Sequence, residues 1–411
     1  MRKMKDSGVK WIGSIPKNWT IQRVKHAFVR KNEKAMQDEP VVLSLARSGV
    51  KIRDISSNEG QIAESYYNYN PVEEGDLLLN PMDLYSGANC SISKVNGVIS
   101  PAYINLKNKE GYNSRFYDYY FKVQYWMMAF FSHGKGVSFD NRWTLSIETL
   151  MNYPIIVLEY DEQCKRADYL DYKCKKIDTL IEKQKIAIEK LKEYKLSVIT
   201  EAVTSKSDWK AGHLGYIASF KNGLNYNGAS EEKEIKFLGV GDFKQHFILN
   251  REDMFSTLKF SGDMPEDLLL KNGDIVFVRS NGSKELVGRS VLIDNVDFSL
   301  TYSGFCIRMR NLRQDLVINE FLMYCFWSND FRQNLNRDSR GSNINNLNQE
   351  LLSKLWISFP DMDEQKRIVN TLNGKCVEIE NTISKKKQLI TKLIEYKKSL
   401  IYEVVTGKRE V

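Results

Sequence analysis

The sequence predicts an α+β protein built as a tandem duplication: two similar globular blocks of mixed α/β pattern, each followed by one long helix. Three observations carry that prediction. At 411 residues the chain exceeds one ordinary domain, and about 150 residues per domain suggests two or three. Its 42% hydrophobic and 11% aromatic content supplies sizeable cores and excludes a disordered chain. Finally, the segment Asp161–Lys206 aligns without a gap on Asp363–Lys408 at an offset of 202, with 22 identities in 46 positions. The predicted organisation is therefore a globular block over 1–160, a helix over 161–206, a second block over 207–362 and a second helix over 363–411.

The first block has strand-like runs at Val41–Leu45, Asp76–Leu79, Val98–Asn105 and Tyr153–Leu158, with a helical, aromatic-rich stretch at Phe116–Phe131. In the second, Ile235–Val240, Asp274–Val278, Gly288–Ile293 and Phe305–Met309 read as strands and Asn319–Trp327 as a helix. Shared landmarks tie the blocks together. Trp19 and Trp209 open them, Gly75-Asp76 and Gly273-Asp274 precede apolar strands, and an aliphatic strand precedes each Asp-Glu-Gln triplet.

The helices carry a heptad. Leu170, Cys174, Ile177, Ile181, Ile188, Leu191, Val198 and Ala202 recur in steps of three and four or their sum, with Gln184 and Lys195 in the same register. The second copy runs Leu372, Cys376, Ile379, Ile383, Ile390, Leu393, Leu400 and Val404, interrupted by Lys386 and Lys397. This pattern predicts a coiled coil, each helix about 60 Å long at about 1.5 Å per residue. The acids of the triplet sit in the first turn, where the helix dipole favours them. The lysines and Gln184 weaken a simple homodimeric zipper and help to set register.

Several functional classes fall away. No run of about 18 apolar residues is present and the opening MRKMKDSGVK leads into no apolar signal core, so the expectation is a cytoplasmic protein with no membrane partner. Six scattered cysteines without a CxxC and only four histidines predict reduced thiols and no metal site. Pro360-Asp361 with Glu364-Gln365-Lys366 superficially matches a metal-nuclease pattern, but the elements are nearly contiguous and open a helix. Asn80-Pro81-Met82-Asp83 lacks the second proline and the aromatic of an adenine methyltransferase loop. With no phosphate loop, HExxH or GxSxG, the sequence offers no catalytic residues.

The net charge of +8 fits a nucleic-acid partner without establishing one. Residues 1–160 carry 20 basic and 16 acidic side chains, residues 207–362 carry 18 and 20, and the helical segments carry 22 and 16. Blocks near neutrality suit local basic loops better than bulk electrostatic grip. One candidate loop follows a strand in the second block: Arg279, Ser280, Asn281, Ser283 and Lys284 among glycines, then Arg289. Arginine can hold guanine bidentately, asparagine can hold adenine, and serine or lysine can reach phosphates; an ordinary polar hairpin is the alternative. Its counterpart in the first block is Asn80–Asn89, with Tyr85 and Ser86. A second candidate precedes the last strand of each block: Lys135, Asn141 and Arg142 in the first, Arg337, Arg340, Asn343 and Asn345 in the second, with Asn141 and Asn343 again 202 apart. A solvated connection is the alternative there. Tyr66, Tyr67 and Tyr69 are read as packing rather than stacking on a ligand.

The opening Lys5–Trp19 (KDSGVKWIGSIPKNW), the two repeats headed by Asp-Glu-Gln and the strand–Gly-Asp–loop blocks resemble the specificity subunit of Type I restriction–modification systems, over essentially the whole chain. The resemblance implies two target recognition domains, each reading one half of a bipartite, asymmetric double-stranded DNA site. It implies that the two helices pack antiparallel as a spacer around an approximate two-fold axis and dock two modification (methyltransferase) subunits. It implies that restriction subunits, an ATP-dependent translocase and endonuclease, then join. It implies a non-catalytic chain with no cofactor of its own, S-adenosylmethionine and ATP belonging to the partners of an adenine-specific methyltransferase and endonuclease complex. The rival readings are a self-contained DNA enzyme and a coiled-coil protein–protein adaptor that reads no DNA.

Overall fold

The computed structural model describes residues 3–55, 63–85, 89–138, 143–225, 233–243, 246–280, 286–338 and 347–411, and of 336–338 only the helical backbone. The chain forms two compact units, Met1–Gln184 with Gln388–Val411 and Lys185–Lys387.

In the first unit an antiparallel sheet has the order Phe28–Lys31, Ile104–Asn108, Leu77–Leu79, Cys90–Ile92. Helix Ser114–Trp126 covers it, burying Phe116, Tyr117, Tyr120 and Phe121. Its start is fixed by Asn113, whose side chain accepts from Arg115 N and Phe116 N. Strand Pro154–Val157 pairs with Thr20–Arg23 beside it. The second unit repeats the plan. Ala218–Asn222, Cys306–Asn311, Ile275–Val278 and Ser290–Ile293 are antiparallel neighbours, extended by a parallel strand Ile248–Leu249. Helix Asn319–Trp327 packs on this sheet, and Trp356–Phe359 pairs with Lys210–His213.

Two of the predicted elements are divided. The run Val98–Asn105 holds strands Gly97–Ile99 and Ile104–Asn108, separated by a turn in which Tyr103 N donates to Ser100 O. Pro101, at the head of that turn, has no N–H to offer a ladder. The aromatic stretch Phe116–Phe131 is not one helix. It breaks at Met127–Met128, where Met128 takes φ +58°, and resumes over Ala129–Ser132. The other predicted strands and helix Asn319–Trp327 lie where the pattern puts them, within a few residues.

The repeated segments form helices Tyr160–Val203 and Met362–Val405, 44 residues each. Inside the first unit, Leu170, Cys174, Ile177 and Ile181 share a core with Leu400 and Val404, with Ile390 and Leu393 packed at its edge. Inside the second, Val198 shares a core with Leu372, Cys376 and Ile379, and Ala202 packs against it. Ile188 is buried, while Leu191 and Ile383 are half-buried. The direction is antiparallel in both units: Arg166 meets Val404 while Asp178 meets Lys397, and Lys206 meets Glu364 while Lys195 meets Glu380.

The lysines that interrupt the heptad thus have defined partners. Lys397 reaches Asp178 at 2.7 Å and Lys195 pairs with Glu380, and each pair maps onto the other by the offset of 202. In the seam of a long helix pair an ammonium opposite a carboxylate is satisfied only in one axial register, so these pairs oppose sliding.

The triplet glutamines have a role that their position in the first turn does not reveal. Gln163 is fully buried; its Oε1 accepts from Asn113 N and its Nε2 donates to Gly111 O and Leu158 O. Gln365 is equally buried, accepting from Ile318 N and donating to Leu316 O and Pro360 O. Each clamp ties the start of a long helix to the entry of the helix on the neighbouring sheet. The bonds to the Leu158 and Pro360 carbonyls are buried, and there the amide side chain supplies the partner that water cannot.

Candidate nucleic-acid interface

In both units the first candidate loop leaves a strand that begins at a buried Gly-Asp turn. Gly75 has φ +93° and Gly273 has φ +89°, conformations that favour glycine. The aspartates that follow cap the turns, Asp76 accepting from Glu73 N at 2.8 Å and Asp274 from Lys271 N at 2.7 Å. Asp76 is neutralised by Lys31 at 2.9 Å, and Asp274 by a bidentate Arg310 at 2.7 Å. Two ion pairs on buried aspartates therefore anchor the strands that carry the loops.

The structure brings the two candidate loops of each block together. In the first unit Leu145 N donates to Pro81 O at 2.9 Å and Leu84 N to Trp143 O at 3.2 Å. In the second, Leu347 N donates to Arg279 O at 2.8 Å, and Arg332 Nη1 to Val287 O at 3.1 Å. Leu145 and Leu347 are 202 apart, and Pro81 and Arg279 keep the 198-residue offset of the two Gly-Asp turns. One stitch recurs at one place in two otherwise different sequences.

Around the first stitch, Tyr85 is 60% exposed with its ring 6.0 Å from Phe131. Lys135 is exposed, and its backbone exchanges two hydrogen bonds with Thr144, closing the second loop. Gly134 is required there, since a Cβ would lie 2.6 Å from Trp143 Nε1 and 2.9 Å from Leu84. Ser86, Asn141 and Arg142 lie outside the described residues. Around the second stitch, Arg279 and Ser280 are half-buried and both donate backbone N–H to Phe305 O. Arg279 Nη1 sits 3.4 Å from Gly304 O, which holds the side chain beside the strand end. Arg289 is half-buried at the far end of the loop. Asn281, Ser283, Lys284, Arg340, Asn343 and Asn345 lie outside the described residues.

The stretch that begins at Arg332 is not wholly a connection. Helix Asn329–Asp338 includes Arg332 and Arg337, because Ser328 Oγ accepts from Phe331 N and the i, i+4 pair Phe331 and Leu335 is buried. A residue that pattern reading assigned to a strand also joins the site: Phe305 precedes strand Cys306–Asn311 and is 62% exposed beside Arg279. An apolar residue at the head of an apolar run gives no sign that it faces solvent. Tyr66 and Tyr69 pack edge-to-face at 5.1 Å, as the packing reading expects, and Tyr67 is partly exposed.

The nuclease-like stretch is a helix start. Asp361 Oδ1 accepts from Asp363 N and Glu364 N, and Glu364 pairs with Arg367 at 2.8 Å. Among the described residues no group of three His, Cys, Asp or Glu side chains could hold a metal, and no helix is long and apolar enough to cross a membrane.

Residues 206–391 match the model of the Type I restriction modification DNA specificity domain. This stretch of the chain is similar to the DNA specificity domain of Type I restriction–modification systems. The StySPI specificity subunit of Salmonella potsdam is 27% identical over 307 residues, 70% of this chain and 61% of that one. The EcoKI specificity subunit of Escherichia coli K12 is 28% identical over 116 residues, 28% of this chain and 24% of that one. The aligned part thus spans about three fifths of the longer-matching relative. Two solved structures share the fold. A chain from a study of complex assembly and conformational transition in the type I R-M system has a TM-score of 0.72 at 12% identity, over 96% of this chain and 99% of its own. The HsdS subunit from Thermoanaerobacter tengcongensis has a TM-score of 0.50 at 13% identity, over 96% of this chain and 98% of its own. The matched domain holds the second stitch and its loops, and the internal repeat extends its plan to the first block.

Proposed function

We infer that this chain is the DNA sequence-recognition subunit of a Type I restriction–modification complex, each globular block reading one half of a bipartite, asymmetric DNA site. The observation that carries the reading is the recurrent stitch, Leu145 to Pro81 and Leu347 to Arg279. It presents two loops side by side on each block, on equivalent scaffolds with unlike side chains. Equivalent scaffolds suit the pseudo-symmetry of duplex DNA, and unlike loops suit unlike half-sites.

In this reading Tyr85, Lys135, Arg279, Ser280 and Arg289, with the neighbouring Ser86, Asn141, Arg142, Asn281, Ser283, Lys284, Arg337, Arg340, Asn343 and Asn345, supply contacts to bases and phosphates. The long helices set the separation of the half-sites and dock two modification subunits, to which restriction subunits add. The chain itself is non-catalytic and acts in the cytoplasm, and the S-adenosylmethionine and ATP that methylation and restriction consume are held by the partners.

The test is methylome sequencing of a host that expresses the chain with its modification subunit, alongside a chimaera in which residues 207–362 come from a relative. The expected result is a bipartite methylated motif of which one half alone changes. Arg279→Ala in the assembled complex is expected to cost about 1–3 kcal/mol at one base position of one half-site. No methylation by a soluble, assembled complex would sink the reading.

A further inference from the structure

Within the second unit a cleft of about 610 Å³ opens between the globular block and its own segments of the long helices. The volume is that of a site for a small organic molecule. One wall is apolar, formed by Ile199, Phe326, Trp327 and Ile383. The rest is strongly cationic: Lys192, Lys195, Arg289, Arg332 and Lys387 line it against one carboxylate, Glu380, which Lys195 already engages. Several of these cations have protein partners too, Lys192 reaching Glu189 and Arg332 the Val287 carbonyl. The excess of positive charge around one space is nevertheless plain.

A second, independent observation points the same way. Ser290 lines the cleft and is 2% exposed, and its Oγ has no hydrogen-bond partner among the described residues. A buried hydroxyl costs free energy when unpaired, so an orphan in a cleft wall fits a group that a ligand completes. Trp327 is held in place by its Nε1 donating to Ser290 O at 3.1 Å, with Phe247 edge-on at 5.2 Å. A fixed indole, a ring of cations and a waiting hydroxyl together fit a planar heteroaromatic group bearing phosphate.

We propose that this cleft binds a nucleotide, its base against the Trp327 wall and its phosphate toward Lys387, Arg289 and the Ser290 hydroxyl. By the offset of 202 the lining residues Lys192, Leu196 and Ser384 fall on Ile394, Lys398 and Glu182, so the helices offer a different set of side chains in the first unit. Two sources share this chemistry: a free nucleotide, or a nucleotide of a DNA strand held at the loop that ends in Arg289. The second source rests on the DNA-reading proposal and the first does not.

The experiment uses the full-length chain. Calorimetry with ATP and GTP, against adenosine and inorganic triphosphate as the separate halves, is paired with anisotropy of a labelled duplex. Lys387→Ala and Ser290→Ala are compared with the parent; the serine change removes an unpaired hydroxyl and is expected to leave thermal unfolding unaltered. Stoichiometric binding of either nucleotide, tighter than both halves and weakened about tenfold by each substitution, is the expected result and assigns the free source. No binding of free nucleotide, with duplex affinity lowered by both substitutions on every sequence, assigns the strand source. No binding of nucleotide and unchanged duplex affinity in both variants overturns the cleft proposal while leaving half-site reading intact. Nucleotide binding by a chain that ignores duplex DNA assigns the free source and leaves half-site reading to the methylation test of the assembled complex.

Discussion

The two globular blocks differ in where they are alike. Two sets of contacts aimed at main-chain atoms recur: Gln163 and Gln365 make the same three hydrogen bonds, and the loop stitch repeats. Contacts between side chains are exchanged. Asp76 is held by a lysine and Asp274 by an arginine, and Tyr119 donates to Asp171 where Tyr324 donates to Asn373. The buried pair Asp118–Lys122 is replaced by Met323 and Trp327, counting from the clamped amides of Asn113 and Ile318. A backbone group at a fixed place can be satisfied in few ways, whereas a side-chain pair needs only matching sign and volume. The comparison teaches that the duplicated blocks keep these main-chain clamps while the side-chain partners within them are exchangeable.

The sharpest way to break the comparison lies where the halves differ most. Arg166 is 1% exposed, donates to Val404 O and Arg409 O, bridges to Glu162 and lies 4.7 Å from the Trp19 ring, whereas its counterpart is Ile368. Arg166→Ile is expected to cost about 3–5 kcal/mol in urea unfolding of the full chain, because the Val404 and Arg409 carbonyls lose this donor and Glu162, which still accepts from the Trp19 indole, loses its ion pair. A variant within about 1 kcal/mol of the parent would show that the first unit does not depend on this contact.

Next come the clamps, where equality is the expectation. Gln163→Ala and Gln365→Ala each strand a buried carbonyl and two half-buried backbone groups and should cost about 1–3 kcal/mol, with faster amide exchange at Asn113 and Ile318 respectively. Costs that differ by more than about 1 kcal/mol would deny that the two clamps are equivalent.

The Asp118–Lys122 pair offers a subtler contrast. Asp118→Met alone leaves a largely buried ammonium unmatched and should destabilise by about 2–3 kcal/mol, whereas Asp118→Met with Lys122→Met should recover most of that, as the apolar counterpart suggests. Burial raises the Asp118 carboxyl above its ordinary value. The native state therefore binds that proton more tightly than the unfolded chain. This contribution is full below the unfolded value and is lost as pH rises through the folded one. Removing Asp118 should flatten that descending component in an acid-range stability profile, and an unchanged profile would show that another group produces it.

The smallest expected effect is at the helix pairs. Lys195→Ala and Lys397→Ala should each cost at most about 1 kcal/mol, since Glu380 and Asp178 are more than half exposed. Unequal effects would show that only one pair holds register.

Much of this was legible in the sequence. The offset of 202 and the heptad gave the tandem architecture and the long helices, because a repeat and a 3.5-residue period are properties of the string itself. The Gly-Asp turns were visible as landmarks, and their positive φ explains the glycines. The candidate loops were visible as clusters of residue types, but not their pairing. What sequence could not disclose was which distant atoms meet: Gln163 with Asn113 N, Leu347 with Arg279 O, Lys397 with Asp178, or Phe305 turned outward beside Arg279. Local conformation follows from propensity and pattern over a few residues, which neighbours along the chain decide. Satisfaction of buried polar groups, and the gathering of cations and an orphan hydroxyl around one cleft, depend on segments up to about 200 residues apart, and only their tertiary packing brings them into range.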